Sequence, residues 1–182
     1  MVNKKCPKCG ELLAKSWYLY CEKCYPAAKA EAAVRVAGFR LTIELVPSTS
    51  WYSNLRNNAK PGAWDEIRHK AYADAGHRCS ICGYQGKLFC HEVWLYDDGE
   101  HVQKLGGFVA LCELCHMVKH IGYAGIFFED YSGLIEHFKR VNNCSYEDFV
   151  LARAIAFDVW QERSRFQWVQ DLGEYADKVV VP

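Results

Sequence analysis

Eight of the ten cysteines in this chain fall in four Cys-x-x-Cys pairs: Cys6/Cys9, Cys21/Cys24, Cys79/Cys82 and Cys112/Cys115. Two such pairs together supply four thiolates, the ligand set of a closed tetrahedral zinc site. In a reducing compartment this spacing reads as zinc rather than as a disulfide framework. We therefore expect two structural Zn2+ sites, one on Cys6, Cys9, Cys21 and Cys24 and one on Cys79, Cys82, Cys112 and Cys115. The span between the last two pairs contains Cys90-His91, and His116 and His120 follow directly after Cys115. Four thiolates already satisfy a zinc ion, so these histidines are left over. A neutral imidazole can bind a metal or take a proton from water near pH 7. Four residues apart on a helix, His116 and His120 share one face.

The composition narrows the classes. The chain has 182 residues, 51% of them hydrophobic, enough for one medium domain or two small ones. Its first residues lack the apolar core of a secretory leader, and we expect a cytoplasmic protein. No run of about 18 apolar residues occurs, so no membrane partner is expected. The formal net charge is +0, but the charges are segregated. Residues 1–60 carry 10 Lys and Arg against 4 Asp and Glu; residues 122–182 carry 6 against 10. The basic end, with Lys4, Lys5, Lys8, Lys15 and Lys23, is placed to track a nucleic-acid backbone. The other reading of those lysines is a solvated face on a structural cap.

The elements that position these groups follow from local pattern. Residues 1–25 read as a zinc ribbon, two knuckles joined through the strand formers Trp17 to Tyr20. A piece this small folds on metal-binding energy rather than apolar burial. Residues 26–60 form a connector. It comprises an alanine-rich helix after Pro26, a strand from Leu41 to Val46 that stops at Pro47, and a loop anchored by Trp51, Tyr52 and Leu55. Asn54 and Arg56 of that loop are either phosphate contacts or hydrogen-bonding groups of the loop itself. Residues 61–125 open with a helix from Pro61 to Ala75, ended by Gly76. A strand from Leu88 to Trp94, a turn at Asp97-Asp98-Gly99, and extended stretches Val102–Leu105 and Phe108–Leu111 follow. A helix then starts at the second knuckle and carries Cys115, His116, Val118, Lys119 and His120. Residues 126–182 read as a helical wrap. Ser132 caps one helix, Ser145 with Asp148 approaches a capping box for the next, and a last helix runs from about Arg165 to Asp171. The class is α+β, built of small zinc-stabilised units.

A strand ending in a histidine pair position, a loop, a knuckle and a helix with His-x-x-x-His resembles the HNH endonucleases, the ββα-metal (treble-clef) nucleases. The resemblance covers residues 79–121. The text Cys-His-Glu-Val-Trp-Leu-Tyr-Asp-Asp, followed by Leu-Cys-x-x-Cys-His-x-Val-Lys-His, is similar to bacterial and phage proteins of that type. In the family, the strand pair supplies a metal ligand followed by a general-base histidine, an Asn follows in the loop, and the helix adds further ligands. The resemblance therefore implies that His91 is the general base. Cys90, His116 and His120 are then candidate ligands of a third divalent ion (Zn2+, Mg2+, Mn2+ or Ni2+), with Asp97 or Asp98 as substitutes for Cys90. Two positions depart from the family: Cys90 replaces its harder ligand, and Gly107, nine residues before His116, stands where its Asn would. The implied activity is metal-dependent hydrolysis or nicking of DNA, with Arg56 and Lys119 as further nucleic-acid contacts. The alternative is a catalytically degenerate HNH-fold zinc protein that binds nucleic acid or a protein partner, as a regulator or inhibitor does.

Overall fold

The computed structural model describes residues 4–15, 18–50, 55–122 and 131–180. Trp17, Trp51, Tyr52 and Asn54 lie outside them. The chain is a small α+β protein in which helices pack around a three-stranded sheet.

The centre is a long antiparallel hairpin, β1 (Leu88–Asp97) and β2 (Val102–Cys112). Its register pairs Leu88 with Cys112 and His91 with Val109, and slips between Val93 and Trp94 because β2 has one residue more. Gly107 stands at that bulge with φ +131°, a conformation L side chains rarely adopt. The expected break at Gly106-Gly107 is therefore a bulge within one continuous strand. On one face of the hairpin lies α3 (Ala63–Asp74), whose Trp64 meets Phe108 edge-on at 6.0 Å. On the other face lies α4 (Glu113–Lys119), which begins where β2 ends.

Each cysteine pair sits on a tight knuckle. Gly10 N donates to Cys6 O at 2.8 Å, and Gly83 N donates to Cys79 O at 2.9 Å. Both glycines are left-handed, at φ +75° and +77°, which explains a Gly directly after Cys9 and after Cys82. The second pair of each set runs into a helix: Cys24 into α1 (Tyr25–Val36) and Cys112 into α4. Apart from a single bridge between Lys5 and Leu12, the described part of the first unit is turns rather than the expected hairpin.

The C-terminal region supplies α5 (Ser132–Asn142) and α6 (Tyr146–Arg163). The capping box on α6 is complete: Ser145 Oγ accepts from Asp148 N at 3.1 Å, and Asp148 accepts from Ser145 N at 3.0 Å. For α5 the cap position is Tyr131, with Ser132 already inside the helix. Leu41, Leu111, Val118, Phe138, Phe149 and Ala152 share one core with the second cysteine set. A second core joins Cys6, Tyr20 and Cys21 to Ala28 and Ala32 of α1 and Leu151 of α6.

Two expectations are corrected. Residues 41–46 form no strand: they run through a slot between helices, with β1 on one side. Glu44 N donates to Lys119 O at 3.0 Å, and Trp160 Nε1 donates to Val46 O at 3.0 Å. Asn142 grips Leu41 from both sides, its Oδ1 accepting from Leu41 N at 3.0 Å and its Nδ2 donating to Leu41 O at 2.9 Å. The backbone of this segment is thus satisfied by helix ends and side chains instead of a ladder. Residues 165–171 form no helix: β3 (Val169–Asp171) pairs parallel to β2, Val102 with Val169. Ring packing overrides helical periodicity there, because Phe166 stacks on His101 at 4.1 Å and Trp168 meets Tyr96 at 5.2 Å. Among the described residues no helix is long and apolar enough to cross a membrane.

The Asn142 clamp gives a test of the slot. Asn142→Ala removes two partners from buried backbone groups, which costs about 1–3 kcal/mol. We expect a lower denaturant midpoint with an unchanged slope. An unchanged midpoint would show that the clamp contributes nothing to holding residues 41–46.

Candidate metal centres and histidine cluster

Both cysteine sets converge. In each, the four sulfurs lie within 4.8 Å of one another. Cys9 and Cys21 Sγ are 3.5 Å apart, and Cys82 and Cys112 Sγ 3.6 Å. A tetrahedral zinc with Zn–S near 2.3 Å places its sulfurs about 3.8 Å apart. The two tetrads are therefore geometrically suited to zinc. Within the second, the thiols differ: burial pushes Cys112 up to about 11 and raises Cys115 as well, while Cys79 goes the other way. Burial raises the Cys79 thiol, but the backbone N–H groups of Cys82, Cys112 and Ile81 outweigh it and bring the thiol down to about 7. Cys112 is at once a tetrad member and the N-cap of α4, accepting from Cys115 N at 3.5 Å.

The hairpin and α4 bring three histidines together. His91, His116 and His120 place their ligand nitrogens within 4.8 Å of one another. His91 Nδ1 is 3.1 Å from His120 Nε2. Two imidazole lone pairs at that distance require a shared proton or a cation between them. Tetrahedral Zn–N bonds near 2.0–2.1 Å imply nitrogens about 3.3 Å apart, so the donor set fits a divalent ion. Phe89 stacks on His116 at 5.4 Å and fixes that ring. Burial, then the neighbouring His91, pushes His116 down to about 4; the same causes with His116 added push His120 down to about 3. Both rings are thus neutral at pH 7, as metal ligands must be.

The outer nitrogen of His91 meets a residue the sequence reading missed. Glu44 Oε2 lies 3.1 Å from His91 Nε2. The other carboxylate oxygen pairs with Lys119 Nζ, which also donates to Thr42 Oγ1 at 3.0 Å. Burial works against the charged carboxylate, yet the His91 hydrogen bond and the Lys119 ammonium outweigh it and hold Glu44 near 2. His91, 5% exposed, is fixed between a carboxylate and its two fellow histidines. A cavity of about 420 Å³ adjoins the cluster, with Glu44, His91 and His120 in one wall and Phe39, Ile43 and Ile155 in another. No local signal marks Glu44: it lies 47 positions from His91 and reaches it only because residues 41–46 enter the slot.

Three expected roles do not survive the geometry. Cys90 stays outside the histidine group. Strand alternation turns it to the face covered by α3, where the nearest charges are Glu92 and Arg68 and burial pushes its thiol up to about 12. Asp97 and Asp98 are no substitutes for it. Asp97 caps its own turn, accepting from Gly99 N and Glu100 N at 3.0 Å, and Asp98 binds Arg163 at 2.7 and 2.9 Å. Lys119 is no surface contact for nucleic acid: it is 7% exposed and paired with Glu44. Gly107 sits in the strand bulge, and an Asn side chain there would be strained by the backbone.

The lysines of the N-terminal unit are all exposed, and three of them have neighbours on the surface. Lys8 pairs with Glu31 at 2.5 Å and Lys23 with Glu11 at 3.7 Å. Lys15 Nζ sits over the Tyr18 ring at 5.8 Å. Lys4, Lys5 and Arg56 are exposed. No protein-family model matches this chain, and comparisons with curated proteins and with solved structures give no match either.

Metal content separates these placements. Cys112→Ser should lose one zinc and the fold of the hairpin–helix unit with it, because structural metal binding is folding energy. Cys90→Ser should leave the metal content and the melting profile of the unit close to the parent's. Loss of a metal ion from Cys90→Ser, counted by elemental analysis, would return Cys90 to the ligand set.

Proposed function

We propose that this protein is a metal-dependent endonuclease of the HNH type that hydrolyses DNA phosphodiester bonds, with two structural zinc ions on its cysteine tetrads. The observation that carries the proposal is the meeting of His91 from a hairpin strand with His116 and His120 from the helix that follows. A neutral pair of imidazoles on one helical face can hold a divalent ion. Such an ion supplies charge neutralisation at the scissile phosphate and at the leaving oxygen. In this reading His116 and His120 alone would hold the ion, and His91 Nδ1 is left uncoordinated to take the proton from the attacking water. A histidine whose Nε2–H donates to Glu44 keeps its Nδ1 lone pair turned toward the cluster. The carboxylate partner fixes the tautomer and the ring orientation. Orientation of the base, given in the family by an Asn at the position of Gly107, passes here to Glu44. Lys119 keeps that carboxylate ionised and offsets the negative charge it would present to an incoming phosphate.

The rival reading is a catalytically silent module that binds nucleic acid or a protein. It draws support from the near-complete burial of His91 and from the pairing of Lys8 and Lys23 with surface carboxylates. In that reading the three histidines hold a metal that only ties β1 to α4.

A supercoiled-plasmid assay with magnesium, manganese, nickel and zinc decides between them. The parent should nick the plasmid with at least one of the four. His91→Ala should lower turnover by about 10²–10⁴-fold with DNA affinity nearly unchanged. Glu44→Gln should lower it by about 10–100-fold, the usual share of an outer-shell partner. His116→Ala should lose the third metal and activity together while keeping both tetrad zincs. No nicking by the parent with any of the four metals, at protein in large excess, ends the enzyme reading.

A further inference from the structure

The second tetrad has a neighbour from outside the hairpin–helix unit. His137 of α5 is 4% exposed, and its Nε2 lies 3.1 Å from Cys115 Sγ. Its other nitrogen, Nδ1, lies 2.8 Å from Arg140 Nη2, one helical turn on. These two contacts fix the proton. A guanidinium only donates, so Nδ1 accepts and must carry a lone pair. The proton of the neutral ring is then on Nε2, and that N–H is aimed at Cys115. The sulfur is the acceptor, and a thiolate accepts far better than a thiol. Arg140, His137 and Cys115 thus form one directed chain from an exposed cation to a fully buried sulfur.

We propose that His137 is the outer-shell donor of the second zinc centre, holding the Cys115 thiolate, with Arg140 fixing its tautomer. The proposal rests on the reading of Cys79, Cys82, Cys112 and Cys115 as a zinc site. Four thiolates on one zinc leave a net double negative charge in a buried place, and each N–H aimed at a sulfur relieves part of it. Cys112 receives such a bond from the backbone of Cys115; Cys115 receives its own from α5. Two consequences follow. Cys115 has its lone pair engaged and is slow to react with electrophiles. The helix α5 is bound to the metal centre by a hydrogen bond as well as by apolar packing, so metal loading and the docking of α5 are linked.

The test uses the full-length, zinc-loaded protein with three variants. His137→Phe keeps a ring without a donor, His137→Gln restores a donor, and Arg140→Ala frees Nδ1 at an exposed position. Zinc retention is read by chelator competition, and alkylation of each cysteine is read by peptide mass spectrometry. We expect His137→Phe to weaken one of the two zincs about tenfold and to raise the alkylation rate of Cys115, leaving Cys6, Cys9, Cys21 and Cys24 unchanged. His137→Gln should recover part of both effects, and Arg140→Ala should show smaller shifts in the same direction. If His137→Phe does not fold, Arg140→Ala carries the decision alone. Unchanged zinc retention and unchanged Cys115 alkylation in the folded variants overturn the proposal. A cobalt-substituted parent with three sulfurs and one nitrogen at this site would make His137 a ligand and overturn the donor role. A parent that holds no zinc on this tetrad removes the metal reading itself, and a zinc count shows that before any variant is made.

Discussion

The second cysteine tetrad is the constraint on which the rest of this structure depends. It joins the knuckle before β1 to the junction of β2 and α4, two places about thirty residues apart in sequence. Closing that loop sets the hairpin register at its open end, where Leu88 faces Cys112. It also sets the start of α4, because Cys112 is both tetrad member and helix cap. Once the first turn of α4 is fixed, the positions of His116 and His120 follow at one and two turns along. Once the register is fixed, His91 must lie opposite Val109 and beneath that same helical face. The histidine cluster is therefore a geometric consequence of the tetrad. Small units of this kind cannot reach such precision by apolar burial alone.

The cluster is completed by a segment that local rules would place elsewhere. Residues 41–46 alternate like a strand, yet among the described residues they pair with no strand in a ladder. The slot between α4, α5 and α6 provides instead a carbonyl from Lys119, an amide from Asn142 and an indole from Trp160. Alternation still has its effect. Leu41 and Ile43 join or pack against the core while Glu44 reaches His91. The half-exposed Glu44 carboxylate is held charged by Lys119 and His91, which both reach it. That three-part contact ties the connector to the helix and orients the imidazole in one arrangement.

Much of this was legible from the sequence, and the reasons are local. The tetrads follow from Cys-x-x-Cys spacing, the α6 cap from Ser145 and Asp148, and the shared face of His116 and His120 from helical period. The exclusion of Cys90 was not legible: it follows from the regular strand through Cys90 and His91, which turns the two to opposite faces. The rest depends on contacts distant in sequence. Glu44, His137 and β3 are set by packing against elements 22 to 67 positions away, and no local pattern carries that information. Lys119 was expected as a nucleic-acid contact, whereas burial makes it the partner of an acid.

The charge segregation along the chain also has an internal explanation. The excess of Lys and Arg in residues 1–60 meets the acidic helix α6. Lys29 pairs with Asp158, Arg35 with Asp148 at 2.9 Å, and Tyr20 donates to Glu147. These contacts dock α1 and the first tetrad onto α6, and they neutralise much of the field a polyanion would otherwise feel. All five expected lysines of the first unit are exposed; Lys8 faces Glu31, Lys23 faces Glu11 and Lys15 lies over the Tyr18 ring. If that unit touches DNA, Lys4 and Lys5 contribute two charges to the salt dependence. Replacing both by Ala should flatten the slope of log affinity against log salt by roughly 2, since each phosphate contact contributes about 0.9. Lys8→Ala should leave the slope alone. A slope that ignores Lys4 and Lys5 but falls with Lys8 would mean that the Lys8–Glu31 pair opens on binding. The first tetrad would then act as a movable arm rather than as a cap fixed on α1 and α6.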